Sequence, residues 1–122
     1  MPYLEILTST DVVDERGRIA TFLPHEAIIE YNLVTINAGH HRGLHWHPHF
    51  IEYLLFTHGH GHMRWRDKDG GIVHDVPVGP GFSTRAVPGI VHAIEADTDL
   101  TFVAMLTRRW DDCDPPIVKE TV

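Results

Sequence analysis

The chain has one cysteine, Cys113, in 122 residues. A lone cysteine closes no internal disulfide, so the fold must rely on its core, and a reducing, cytoplasmic setting is expected. Long apolar runs are missing too. Stretches such as Ile51 to Phe56 are interrupted or far shorter than the ~20 residues that cross a bilayer, so no membrane role is expected. The start, Met1-Pro2-Tyr3-Leu4-Glu5, shows no basic segment leading into an apolar one, so no signal peptide is expected. Positive charge is scarce: 10 Lys and Arg stand against 17 Asp and Glu, a net charge of −7. Nucleic acid is therefore not an expected partner, because binding to phosphates needs a basic footprint. Repeats, linkers and convincing helical periodicity are lacking. The best helix candidate, Pro24 to Ile29, lasts barely two turns. Hydrophobic residues at 43% and charged ones at 22% are ordinary for a globular chain, which argues against disorder and for one domain over residues 1–122.

What the chain does have is short β-rich runs between turn residues. They read Arg18 to Leu23, Tyr31 to Asn37, Ile51 to Thr57, His60 to Arg66, Ile72 to Val78, Phe82 to Val87, Val91 to Ala96 and Leu100 to Thr107. About eight short strands with regular turn signals predict an all-β sandwich or barrel. Lys68-Asp69-Gly70-Gly71 is the clearest hairpin tip, since glycine supplies the positive φ such turns need. An N-terminal strand arm over 1–24 and a barrel proper over about 31–107 follow. Beyond them, 108–122 reads as a surface tail, because Asp111-Asp112-Cys113-Asp114-Pro115-Pro116 cannot continue a strand.

Histidine is in excess: 11 residues, most of them between His40 and His62. In an extended strand His45 and His47 share a face. Glu52 rejoins that face if Pro48-His49-Phe50 makes a turn or bulge. Two imidazoles and a carboxylate then converge with open positions, a ligand set that suits catalytic divalent transition metals. The wider spacing runs from Gly39 through His45-x-His47 and Glu52 to Gly59. It resembles the first motif of the cupin superfamily position for position. Gly79-Pro80-Gly81 followed by Pro88-Gly89-Ile90-Val91-His92 is similar to the second motif, one residue shorter between proline and histidine. The resemblance implies a single-domain jelly-roll β-barrel, usually a homodimer, with His92 as a fourth ligand. It also implies one divalent ion (iron, manganese, nickel or zinc) held by His45, His47, Glu52 and His92.

Three further stretches resemble the nucleotide-sugar epimerase and ketoisomerase cupins: Arg42-Gly43-Leu44-His45, Asp14-Glu15-Arg16-Gly17-Arg18-Ile19 and Arg109-Trp110-Asp111-Asp112. In that group the histidine pair does acid/base work without metal, and the later position is typically glutamine. Glu52 and His92 depart from that pattern and move the pair toward metal ligation.

Among the other candidates, His49 sits in the bend beside the ligands and is the expected general base. Arg42, Trp65 and Arg85 are expected to contact substrate. Alternation turns Trp65 and Met63 inward, and His60 and His62 outward. The expected function is that of an isomerase or epimerase enolising a small polar, sugar-like or keto substrate with help from the metal. The alternatives are an iron-dependent dioxygenase and a non-catalytic metabolite-binding cupin. The first strand, Tyr3 to Leu7, is expected to hide its edge against a partner's sheet.

Overall fold

The computed structural model describes residues 3–122. It contains twelve strands and one short 3-10 turn. The strands are β1 (Leu4–Leu7), β2 (Thr10–Asp14), β3 (Gly17–Thr21), β4 (Glu30–Ile36), β5 (His41–Trp46), β6 (Glu52–His58), β7 (Gly61–Asp67), β8 (Gly70–Val78), β9 (Ser83–Ala86), β10 (Ile90–Ala96), β11 (Leu100–Leu106) and β12 (Val118–Lys119). They form two five-stranded antiparallel sheets, ordered β1-β9-β6-β11-β4 and β12-β5-β10-β7-β8, with β2 and β3 as a separate ribbon. No helix among the described residues is long and apolar enough to cross a membrane.

Alternation builds the core between the sheets. Leu100, Phe102, Ala104 and Leu106 of β11 point inward, while Thr101, Val103 and Met105 lie on the outer side of the same strand. Leu54 and Phe56 of β6, Met63 of β7 and Ile90 and Ile94 of β10 join Leu100, Phe102 and Ala104 in the main cluster. Met63 is 1% exposed, and His60 and His62 face outward, as alternation predicts. The tip between β7 and β8 falls on Lys68-Asp69, with Gly70 and Gly71 both at positive φ.

Three segments differ from the sequence-based reading. Pro24 to Ile29 is not a helix; it crosses the outer face of the first sheet in irregular backbone. Glu26 anchors it by accepting from Arg85 and Tyr53. His41 to Trp46 is a full strand, although its glycine and histidines give no β-branched run. The residues after Thr107 are not a loose tail. Cys113 is buried with Phe50 and Leu106, and Val118 and Lys119 pair with Trp46 and His45.

One irregularity positions the site. Opposite β10, the register of β5 slips so that His92 faces His45 and Ala93 faces Gly43, which leaves Leu44 as an extra residue. Leu44 takes φ 61° and Gly43 φ 100°. The backbones approach so closely that a Cβ on Gly43 would lie 2.6 Å from the His92 carbonyl oxygen. Gly43→Ala should therefore destabilise the fold by about 1–3 kcal/mol, measurable as a lower urea midpoint; an unchanged midpoint would contradict the close approach.

Candidate metal centre

His45 at the end of β5, His47 just after it, Glu52 at the start of β6 and His92 in β10 come together at the mouth of the sandwich. Ring centroids lie 4.9 Å apart for His45 and His47, 5.0 Å for His45 and His92, and 5.2 Å for His47 and His92. One ring nitrogen from each histidine falls within 4.8 Å of the others. Glu52 Oε1 stands 3.4 Å from His47 Nε2 and 3.5 Å from His92 Nε2. His47, Glu52 and His92 are buried, and His45 is half-buried toward the cavity. The turn through Pro48 works by sending Phe50 inward, which leaves Glu52 on the ligand side.

The far side of two rings fixes their chemistry. His47 Nδ1 lies 3.3 Å from the Pro116 carbonyl and His92 Nδ1 lies 3.1 Å from the Ile90 carbonyl. A carbonyl only accepts, so each Nδ1 carries the hydrogen and each neutral ring turns a bare lone pair on Nε2 toward Glu52. Two lone pairs and a carboxylate oxygen then meet with no donor between them. His47 Nε2 is buried without a hydrogen-bond partner. Such a set of acceptors is complete only with a cation or an added proton among them, and a divalent transition metal fits it.

Charge follows the same logic. Burial alone would raise the Glu52 carboxyl, but His47, then His92 and His45, outweigh it and hold it down at about 2. Burial opposes charge on His47, yet the Glu52 carboxylate wins and raises it. His45 is pushed down to about 4 by burial and by His92 and His47. Burial also lowers His92, with Glu52 opposing. In metal-free protein the Glu52 carboxylate thus favours a proton on His47 over one on His45 or His92.

A cavity of about 260 Å³ opens above these groups. Val34, Leu54, Ile94, Phe102, Ala104 and Leu106 make its apolar wall, and Asn32, Arg42 and Trp110 its more exposed lining. Arg42 reaches it because the extra residue at Leu44 puts it on the His45 side. Its Nε donates to the Thr35 carbonyl at 3.2 Å, and no carboxylate pairs with it among the described residues.

The other candidates lie elsewhere. His49 is exposed, with Nε2 3.2 Å from the Asp114 carbonyl, outside the cavity lining; the turn that buries Phe50 points it away. Arg85 sits on the outer face of its sheet and grips Glu26 through two bonds of 2.9 and 2.7 Å. That grip and Tyr53 hold the Glu26 carboxyl down at about 2. Trp65 faces inward but stacks on His74, centroids 4.0 Å apart, toward the other edge of the sandwich. Trp110 was visible in sequence only within the Arg109-Trp110-Asp111-Asp112 stretch, with no sign that it reaches the cavity.

No family model matches the chain, and no curated protein matches it. Solved structures do. The 3,4-ketoisomerase QdtA from Thermoanaerobacterium thermosaccharolyticum, solved with TDP-4-keto-6-deoxyglucose, aligns with a TM-score of 0.77 at 13% identity, over 96% of this chain and 87% of that one. The dTDP-4-dehydrorhamnose 3,5-epimerase from Sulfolobus tokodaii gives 0.75 at 16% identity, over 98% and 84%. The capsular polysaccharide assembling protein CapF from Staphylococcus aureus gives 0.71 at 23% identity, over 93% of this chain and 34% of CapF. The chain thus spans about a third of the length of CapF. These likenesses show the fold, an all-β jelly roll of the kind expected from the motifs.

For metal-free protein the shifts set a pH dependence. His45, depressed from 6.5 to about 4, favours the folded state fully only above 6.5, and that contribution falls away toward pH 4. Glu52, depressed from 4.5 to about 2, adds a further loss below 4.5. His47 has the opposite sign: it stabilises below 6.5, and the gain is lost as pH rises through its raised value. The urea midpoint should fall from pH 6.5 downward, and His45→Gln should flatten the stretch between 6.5 and 4; a wild-type midpoint flat over that range would contradict these assignments.

Proposed function

We propose that the chain is a metal-dependent cupin enzyme that moves a proton beside a carbonyl of a small polar, keto or sugar-like substrate, as an isomerase or epimerase. The observation that carries this reading is the convergence of Glu52 Oε1 with the lone-pair sides of His47 and His92, 3.4 and 3.5 Å away, beneath a cavity. His45, His47, Glu52 and His92 would hold a divalent ion, which when bound polarises a carbonyl and stabilises an enolate. The apolar wall seats the carbon skeleton of the substrate and excludes water. Arg42, free of a carboxylate partner, takes an anionic group at the rim. His45, the ring most open to the cavity, moves the proton only when it is off the ion and His47, Glu52 and His92 hold it, since a metal-bound ring has no free lone pair and His49 and the tyrosines are not among the lining residues. The names of the structural neighbours, an epimerase and a ketoisomerase, support the reaction class.

A second reading, an iron-dependent dioxygenase, draws on one specific observation: no base separate from the four ligands lines the cavity. The two readings separate in one assay. Metal-loaded protein incubated in D₂O with TDP-4-keto-6-deoxyglucose, or with simple 2-keto acids, should place deuterium beside the carbonyl. Oxygen uptake without deuterium would move the assignment to the dioxygenase; ligand binding with neither would make the protein a binding module. Metal content should be about one ion per chain in the wild type, falling at least about tenfold in His47→Ala and Glu52→Ala; full occupancy in both variants would overturn the ligand set.

The same reading includes a homodimer and a cytoplasmic setting. The β2-β3 ribbon stands apart from both sheets, with Val12, Val13 and Ile19 all exposed. A lone two-stranded ribbon is marginal in water, so a second copy is the natural cover for it. Light scattering should report a dimer that Val13→Asp converts to monomer; a monomeric wild type would end this part of the proposal.

A further inference from the structure

We infer that residues 114–121 form a strap that sets the direction of His47, and that Arg66 is the positioning residue that holds the strap in place. The inference concerns the orientation of a ring, so it stands whether a metal ion or a proton occupies the acceptor cluster.

The path of the strap is continuous. Trp110 lines the cavity, Cys113 is buried against Phe50 and Leu106, and the Pro116 carbonyl then meets His47 Nδ1 at 3.3 Å. Val118 and Lys119 pair with Trp46 and His45, and the Glu120 N–H donates to the Leu44 carbonyl at 2.9 Å. The strap therefore runs along the strand that carries the histidines and touches the extra residue that turns them.

Arg66 closes it from β7. Its side chain is only 17% exposed. Nη1 donates to the Asp67 carbonyl at 2.9 Å, and Nη2 donates to the Thr121 carbonyl at 2.7 Å. The Glu120 carboxylate adds a contact at 3.8 Å. A guanidinium spans two carbonyls on separate segments because its donors are fixed in a planar fork.

His92 is a built-in control. Its Nδ1 is held by the Ile90 carbonyl, two residues away on its own strand, without help from the strap. The two rings thus share a tautomer for different reasons. Releasing the strap should free His47 and leave His92 unchanged, whereas a general loosening of the fold would disturb both.

The test uses full-length, metal-free protein at a pH where both rings are neutral. Long-range proton–nitrogen NMR reads the tautomer of each histidine in the wild type, Arg66→Ala, Arg66→Lys and Glu120→Pro. The last removes the N–H that bonds Leu44 at an exposed position, so it remains informative if Arg66→Ala fails to fold. The wild type should show Nδ1–H on both rings. Arg66→Ala and Glu120→Pro should convert His47 to a tautomer mixture with His92 unchanged, and Arg66→Lys, which keeps a donor but not the fork, should fall between Arg66→Ala and the wild type. Affinity for cobalt(II) should fall at least about tenfold in the released variants. Failure of the wild type to bind cobalt would count against the metal reading and not against the strap. An unchanged His47 in the folded variants, or both rings changing together, would overturn the inference.

Discussion

Everything at the mouth of this sandwich depends on an electrostatic demand: three buried acceptors, His47 Nε2, His92 Nε2 and Glu52 Oε1, face one another with no donor among them. Burial makes such an arrangement costly unless positive charge sits within it. A proton drawn to His47 by Glu52 would meet part of that demand, and a divalent cation would meet it more fully, because it would satisfy both rings and the carboxylate at once. The local backbone keeps these groups aligned. The extra residue at Leu44 turns β5, the Pro48 turn buries Phe50 and frees Glu52, and backbone carbonyls behind both rings fix where their lone pairs point.

Partners decide the fate of chemically identical groups here. Arg42 and Arg85 are both strand arginines. Arg85 is taken up by Glu26 and Tyr53 on the outer face, where it fastens the chain crossing between β3 and β4. Arg42 meets only a backbone carbonyl and lies at the rim of the cavity. Histidines divide the same way. His62 stands exposed between Asp75 and Asp97, a solvated contact between neighbouring turns and strands, while His47 and His92 are buried against Glu52.

Much of this was legible in the sequence, for reasons that can be named. Alternation in β7 and β11 and near-continuous apolar runs in β6 and β10 both show in sequence, so these four strands were readable to within a residue or two. The ribbon of β2 and β3 has no buried face and hence only a weak pattern, of which the sequence reading found β3 alone. His41 to Trp46 lacked a β-branched run and was visible only through its motif. The two-residue period of His45 and His47 and one tight turn before Glu52 were enough to bring those three together, whereas His92 came in only through the resemblance to the second cupin motif. What spacing could not give was direction. The single extra residue at Leu44 brings Arg42 to the cavity, and the burial of Phe50 sends His49 out. Asp114-Pro115-Pro116 read as a breaker; it is one, but the chain beyond it returns to pair with β5. Long-range pairing of that kind leaves no local signature.

The most direct measurement of the central claim is the proton balance of metal binding. Titrating metal-free protein with a divalent transition metal near neutral pH, in buffers of different ionisation enthalpy, reports how many protons leave as the ion enters. If Glu52 draws a proton onto His47 in the absence of metal, one ion should bind per chain with net release of protons, and the release should shrink as pH rises. Absence of saturable binding, or binding with no proton released at any pH, would contradict the account.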